Sequence, residues 1–311
     1  MKIENNCVIN GMPETIYHAD PCPTPSFSSS MARDLVEKTP LQAMLRSRRL
    51  NSNYRERKSD AMNFGTLAHD FILKGGRSTF EIAPFDSWRT KDSQAVRNSI
   101  QARGLIALNE STAEECVGQL EKMRSALKDQ IAKHAEYPKL MISGKAEQSA
   151  FFFDGDLWNR ARFDWLDDAY PDTPFDYKTT GLTFEQWQRQ ELWGGGYMQA
   201  AHYQKVFAGV FSKPSGPFTF IVQQTFEPFM MMVFTIDRSF DEQVMERYNL
   251  ARLKFKTGVA GGGWPGASNS TQHSCPPPWV LGKWEMDNLD SVAETVEQPE
   301  PTDDIDYALA G

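Results

Sequence analysis

The stretch TPFDYKTTG at 173–181 places a carboxylate and an ammonium group two residues apart. Side chains at positions i and i+2 lie on the same face of a β-strand, so Asp176 and Lys178 are expected to stand side by side on a short strand. Such a pair can bind a metal ion and stabilise negative charge on a substrate, or it can be an ordinary solvated ion pair. The tripeptide alone leaves both interpretations open.

A second acid lies on the preceding predicted strand, NRARFDWL. Arg160, Arg162 and Asp164 follow one another there at a period of two, so their side chains are expected to share one face. If this strand runs antiparallel to FDYK, Asp164 and Asp176 converge. Two carboxylates on adjacent strands are suited to a hard divalent cation such as Mg²⁺, which prefers oxygen ligands.

This group of residues is suited to phosphodiester hydrolysis. A cation held by two carboxylates lowers the pKa of a bound water and neutralises the scissile phosphate, while Lys178 positions the nucleophile and stabilises the developing charge. Arg160 and Arg162 would hold the phosphate. Glu147, in the strand leading into FFF, is a third acid within reach of the cluster, although its position also suits a plain surface glutamate.

The sequence also predicts the helices and strands that would position these residues. SSSMARDLVEKTP has the pattern of a serine-capped helix that Pro40 ends. A second helix is predicted over about 61–73, with His69 beside an apolar stripe. That stripe consists of Phe64, Leu67, Ala68, Phe71 and Ile72.

Further along the chain, the pattern over about 92–137 predicts polar helices. Two strands are then predicted to meet at a hairpin turn formed by 154–156. TPFDYKT is a third strand. Helices are predicted next at LTFEQWQRQ and YMQAAHYQKVFAGVF. They are followed by two predicted strands joined around Glu227 and Pro228, and by a helix over about 239–257. This order predicts an α/β or α+β fold with a central mixed β-sheet flanked by helices.

The composition of the chain limits the class of protein. Its 311 residues are 40% hydrophobic and contain no apolar run near 18 residues, so a soluble, cytoplasmic protein without a membrane partner is expected. The four cysteines have no zinc-like spacing. No phosphate-loop motif supports a nucleotide-driven motor or a dinucleotide enzyme.

Charge is distributed unevenly. The formal net charge is −8, but nine of the 41 acids lie in 284–311, where no Lys or Arg occurs, and 32 acids against 33 bases remain. The predicted organisation is an irregular segment at 1–25, a main domain at 26–284 and a disordered acidic tail at 285–311. Six basic residues in 45–58 suit either phosphate contacts or a solvated helix face.

These motifs, taken in order, resemble the PD-(D/E)xK nuclease superfamily. Asp164 followed by Asp176-Tyr177-Lys178 is similar to its core, although Pro174 lies two residues before Asp176 rather than next to it. Gln199 and Tyr203, as Q-x-x-x-Y on a helix, and GTLAH with His69 resemble motifs of its RecB-type branch. Within that branch the chain resembles the phage-type exonuclease VIII (RecE) nuclease domains over roughly 25–285.

The resemblance implies a restriction-endonuclease-like core and a role for each matched residue. His69, Asp164, Asp176 and the backbone carbonyl of Tyr177 would bind the metal, and Lys178 would serve the attacking water. Three further residues have implied roles: Gln199 and Tyr203 in orienting the site or the DNA strand, and Glu147 as an accessory catalytic acid.

The implied activity is a Mg²⁺-dependent, ATP-independent exonuclease, with Mn²⁺ able to replace Mg²⁺, that acts 5′ to 3′ on double-stranded DNA ends. It would expose single strands for homologous recombination in a bacterial host cell, with a single-strand annealing protein as partner and a homo-oligomeric ring around the DNA. Two alternatives stay open: a single-strand or structure-specific nuclease of the same superfamily, and a non-catalytic DNA-binding assembly protein.

Overall fold

The computed structural model describes residues 1–55, 60–75, 80–103, 105–268, 281–283 and 286, with side chains described from residue 64 in the second range. The strands are β1 Cys7–Ile9, β2 Phe80–Ala83, β3 Ile106–Asn109, β4 Gly144–Phe153, β5 Trp158–Asp167, β6 Pro174–Thr180, β7 Thr219–Gln224 and β8 Met231–Phe234. The helices are α1 Glu14–His18, α2 Ser29–Glu37, α3 Pro40–Leu45, α4 Asp60–Lys74, α5 Lys91–Ala102, α6 Glu110–Ile131, α7 Phe184–Trp187, α8 Tyr197–Phe211 and α9 Asp241–Thr257.

Six of these strands form one mixed sheet in the order β1-β4-β5-β6-β7-β8. Neighbouring strands run antiparallel except β6 and β7, which are parallel. β2 and β3 form a separate parallel pair. All residues of β7 are buried, as expected for a strand covered on both faces. The predicted α/β class with a mixed sheet flanked by helices is confirmed.

Local signals in the sequence set several of the boundaries. The Ser28 hydroxyl accepts a hydrogen bond from the Met31 N–H and caps α2, as predicted. The predicted hairpin joins β4 to β5, where Asp154 Oδ1 accepts hydrogen bonds from the N–H groups of Asp156 and Leu157, and Gly155 has φ +93°. Glycine adopts this left-handed conformation without strain.

Two apolar layers hold helices on opposite faces of the sheet. On one face, α8 packs Phe207 against Phe163 of β5 and Phe220 of β7. On the other, α6 packs Leu127 against a set contributed mostly by β6 and β7, namely Phe175, Tyr177 and Ile221. The sheet is therefore the middle of three layers.

The N-terminal segment is more ordered than the sequence predicts. Residues 1–25, expected to be irregular, contain β1 and α1, and Met12 and Tyr17 pack with Phe151 and Trp158 in a buried cluster. These two elements are too short for a strand or helix periodicity to be recognised in the sequence. Strand β3 lies within the stretch at 92–137 that the sequence predicts to be helical. Its four residues pair with β2, a contact that the local sequence pattern does not indicate.

The chain separates into two compact units, Met1–Gly266 and Ala267–Gly311. The first contains every helix and strand named above. In the second, residues 281–283 are helical. Apart from residue 286, the predicted acidic tail lies outside the described residues, as do 56–58 of the basic stretch. In the described part of the chain, no helix is long and apolar enough to cross a membrane.

A glycine bend sets the start of α8. Gly195 has φ +129°, and a Cβ atom there would lie 2.4 Å from Arg33 Cδ and 2.4 Å from Glu37 Oε1 on α2. Glycine is favoured at this position, because other residues rarely adopt such a φ and their Cβ would force the Arg33 and Glu37 side chains to move. The bend at Gly194 and Gly195 separates the helical turns that begin at Gln188 from α8, which carries Gln199 and Tyr203.

Candidate active site

The site lies where β5 and β6 separate. Their pairing covers only Trp165 with Phe175 and Leu166 with Pro174. The next residues along the two strands are Asp164 and Asp176. There the Asp164 side chain takes the place of a backbone acceptor in the strand pairing. Its Oδ2 accepts a hydrogen bond of 2.9 Å from the backbone N–H of Tyr177. The structure thus brings together the two acids that the sequence singles out.

Glu147 marks a second interruption of the sheet. The pairs Ala146 with Trp165 and Gln148 with Phe163 flank it, so Glu147 of β4 and Asp164 of β5 are the two positions between these pairs. Glu147 has φ +55°, a strained conformation for a residue other than glycine. Its carboxylate is buried and forms an ion pair with Arg162. Strain of this kind is concentrated at functional sites.

His69 reaches the strands from α4. Its Nε2 lies 3.0 Å from Asp164 Oδ2, and its Nδ1 lies 3.1 Å from Glu147 Oε1. The two ring nitrogens therefore contact different acids. Glu147 is placed to orient the imidazole, because a carboxylate that accepts from one ring nitrogen fixes which way the other points.

Lys178 and Gln199 both contact Asp176. Lys178 Nζ lies 2.5 Å from Asp176 Oδ2, and Gln199 Nε2 donates a hydrogen bond of 2.6 Å to Asp176 Oδ1. Asp176 is 1% exposed, whereas 37% of the Lys178 side chain is accessible. The ammonium group therefore extends from a buried carboxylate toward solvent, where a substrate can reach it.

Tyr203 and the two arginines occupy different surroundings. The Tyr203 hydroxyl accepts a hydrogen bond of 3.4 Å from the Arg162 backbone N–H. Arg162 lines the cleft, but Arg160 NH1 lies 2.8 Å from Asp20 Oδ2 and donates to Ser26 Oγ. Arg160 is not among the described residues that line the cleft. The phosphate-binding role predicted for Arg160 therefore has no support from its position.

All the other predicted site residues line one open cleft of about 590 Å³. The predicted site residues in its wall are His69, Glu147, Arg162, Asp164, Asp176, Tyr177, Lys178, Gln199 and Tyr203. Sequence reasoning missed two further contributions. Asp70, directly after His69, and the α1 residues Glu14, Tyr17 and His18 also line this active-site cleft. The doublet His69-Asp70 on α4 is the one signal that could have identified Asp70.

Comparison with known proteins identifies solved structures of similar fold. No family model matches the chain, and no curated protein matches it significantly. Among solved structures, the crystal structure of a "putative exonuclease" from Eubacterium rectale is similar with a TM-score of 0.53 and 13% sequence identity. The match covers 86% of this chain and 94% of the other. The two chains share a fold.

Burial and close charge pairs shift the pKa values of the central groups. For His69, burial favours the neutral ring, but the charge and hydrogen bond of Asp164, helped by Asp70 and Glu147, outweigh it and raise the pKa to about 10. For Asp176, burial and the neighbouring charge of Asp164 raise the pKa to about 7 against the opposing effect of Lys178. His69 is therefore protonated at neutral pH in the metal-free protein.

Asp164 and Lys178 stay charged. Burial would raise the pKa of Asp164, but His69 and Lys178 hold it below its usual value. Burial would lower the pKa of Lys178, but Asp176 and Asp164 raise it above its usual value. The lysine is therefore a permanent cation near neutral pH and does not act as a base there.

The donor atoms of the cleft fit a hard divalent cation. His69, Asp70 and Glu147 each place one possible ligand atom within 4.8 Å of the others, and Asp164 adjoins this group through His69. Asp70 is 5% exposed, and its Oδ2 has no hydrogen-bond partner among the described residues. A buried carboxylate oxygen without a partner is costly unless a cation or water satisfies it. Carboxylates with one imidazole suit Mg²⁺ or Mn²⁺.

Proposed function

We propose that this protein is a Mg²⁺-dependent, ATP-independent exodeoxyribonuclease that degrades linear duplex DNA from 5′ to 3′. The observation that carries the proposal is the meeting of His69, Asp164, Asp176 and Lys178 in one cleft where two strands separate. The fold shared with a protein named as an exonuclease adds support. Mn²⁺ is expected to replace Mg²⁺.

The residues of the cleft have different roles in the proposed reaction. His69, Asp164, Asp176 and the carbonyl of Tyr177 would hold the cation, with Asp70 Oδ2 as a further oxygen beside His69, and Glu147 would orient His69. When bound, the cation would lower the pKa of a water molecule and neutralise charge on the scissile phosphate.

Lys178 and Arg162 would act on the substrate, and Gln199 would support a metal ligand. Lys178, permanently charged, orients the attacking water and stabilises the negative charge that develops on the phosphate. Gln199 fixes the Asp176 carboxylate by its hydrogen bond to Oδ1. Arg162 lines the cleft, and the part of its guanidinium that is not engaged by Glu147 and the Met12 carbonyl would bind a phosphate oxygen.

The wider role follows from the resemblance of the motifs to RecB-type and exonuclease VIII (RecE) nucleases. The exposed single strands would enter homologous recombination with the help of a single-strand annealing protein, in a phage or its bacterial host. A homo-oligomeric ring around the duplex would provide processivity without a motor.

Substrate topology tests the proposal against its nearest rival. The protein is incubated with Mg²⁺ and without ATP on linear duplex, the same duplex as a closed circle, and single-stranded DNA. An exonuclease degrades the linear duplex and leaves the closed circle intact. Cleavage of the circle, or activity on single strands alone, would instead assign a structure-specific or single-strand nuclease, and inactivity on all three would favour a non-catalytic DNA-binding protein.

Cation binding is expected to release protons and to strengthen as pH rises from 6 to 8. At pH 7 His69, with a pKa of about 10, holds a proton that a metal must displace, and Asp176, with a pKa of about 7, holds about half a proton. Titration calorimetry with Mn²⁺ in two buffers of different ionisation enthalpy should show the release of about 1.5 protons. An affinity independent of pH would contradict this ligand set.

The Gln199→Ala variant is expected to hydrolyse DNA about 10-fold to 100-fold more slowly, because Asp176 loses the hydrogen bond that orients it. Gln204→Ala is the matched control. Gln204 lies on the same helix but donates to the Gly216 carbonyl at 3.0 Å, outside the cleft. Equal rates for the two variants, measured on labelled linear duplex, would show that Gln199 has no role in the site.

A further inference from the structure

A second, larger cavity adjoins the active-site cleft. Its volume is about 1000 Å³, and Glu14 and His18 of α1 line both cavities. Arg48, which lines this cavity, also lines a smaller and more open one that includes Tyr54. The three cavities therefore follow one another along the surface, from the active-site cleft to the segment after α3.

Two arginines in this path lie over aromatic rings. The Arg97 guanidinium carbon is 5.7 Å from the centre of the Trp88 ring, and that of Arg48 is 5.5 Å from the centre of the Tyr54 ring. Both rings are partly exposed. A ring with an adjacent cation gives a flat apolar surface and a positive charge at one place.

The charge of the path is mainly positive. Arg48, Arg97 and Arg103 line the large cavity, and Glu14 is the acid among its described lining residues. Arg103 is partly neutralised, because its guanidinium lies 2.7 Å from Glu81 Oε2. We call the path formed by Arg48, Tyr54, Trp88, Arg97 and Arg103 the arginine groove. None of these residues has a role in the hydrolysis proposed above.

We propose that the arginine groove binds single-stranded DNA next to the active-site cleft, an inference that rests on the proposed nuclease function. Guanidinium groups bind phosphates, and Trp88 and Tyr54 offer ring faces on which bases stack. Stacking needs bases that are free of a partner strand, so a single strand suits this surface better than a duplex does. The groove would hold the strand that passes the cleft and keep it aligned with Lys178.

Binding in the absence of divalent cations separates this proposal from catalysis. Fluorescence anisotropy with the full chain in EDTA measures the affinity for labelled oligothymidine of about 15 and about 4 nucleotides. Arg97→Ala, Arg48→Ala and Trp88→Ala are each expected to weaken binding of the longer strand about tenfold and to leave the shorter one nearly unchanged. Arg97→Ala should also reduce the slope of log Kd against log salt by about 0.7.

Arg124→Ala is the matched control, because Arg124 lies 4.7 Å over the Phe71 ring but lines a different cavity. Affinity for the longer strand that is equal in the control and in both arginine variants would overturn the proposal, and so would an equal loss for blunt duplex. If Trp88→Ala fails to fold, the two arginine variants still decide the matter. A wild-type protein that binds the strand but never hydrolyses DNA would refute the nuclease function and leave the groove intact.

Discussion

Removal of divalent cations is expected to reduce DNA hydrolysis by at least about 10³-fold, and adding Mg²⁺ or Mn²⁺ should restore it. The physical reason is the concentration of acids in the cleft. Asp70, Glu147 and Asp176 are buried there beside the less buried Asp164, and Asp70 Oδ2 lacks a partner among the described residues. Without the cation these carboxylates pair with His69, Lys74, Arg162 and Lys178, and the site lacks the group that lowers the pKa of the attacking water.

The measurement is a time course on linear duplex after dialysis against EDTA, followed by titration with each metal. Thermal unfolding in parallel provides the control, since binding to the folded state alone should raise the midpoint as metal is added. Hydrolysis that continues at its full rate in EDTA would contradict a metal-dependent mechanism.

The Asp164→Asn variant is expected to lose activity by about 10³-fold while the fold is retained. Asp164 Oδ2 is the atom that joins the parts of the site, because it lies 3.0 Å from His69 Nε2 and accepts a hydrogen bond of 2.9 Å from the Tyr177 N–H. An amide of the same shape can still accept from that N–H, but it cannot carry the charge that pairs with His69 and binds a cation.

Asp168→Asn is the control for this substitution. Asp168 lies four residues further along and accepts a hydrogen bond from Ser143 Oγ at an exposed position. The control should hydrolyse DNA at the wild-type rate. If Asp164→Asn is equally active, Asp164 is not part of the reaction, and Asp176 must act with other acids of the cleft.

Local patterns predicted much of the fold and many of the residues that meet in the cleft. The alternation around Asp176, the hairpin at Gly155 and the serine cap of α2 each depend on neighbouring residues, and such signals can be recognised in the sequence. The resemblance of the motifs in their order, His69 before Asp164 before Asp176, to a nuclease superfamily then predicted which residues meet.

The remaining features depend on contacts between distant parts of the chain. Arg160 has the same period as Arg162 and Asp164, yet it bonds Asp20 from the N-terminal segment, a partner that no periodicity reveals. The left-handed conformation of Glu147 likewise lies where β4, β5 and α4 meet, a contact between distant segments that the sequence pattern does not reveal. Asp70 directly follows His69, but that doublet alone does not distinguish it from a solvated helix acid.

The central claim is that Asp176 and Lys178 belong to a nuclease site, and one time course tests it most directly. Linear duplex labelled at the 5′ or the 3′ end is incubated with Mg²⁺ and without ATP, comparing wild type with Asp176→Ala and Lys178→Ala. Lys205→Ala serves as the control, because Lys205 lies 3.3 Å from Asp154 at the hairpin, away from the cleft. We expect early release of the 5′ label by the wild type and the control, and none by the two site variants. Undiminished activity in both site variants would contradict the assignment of this site.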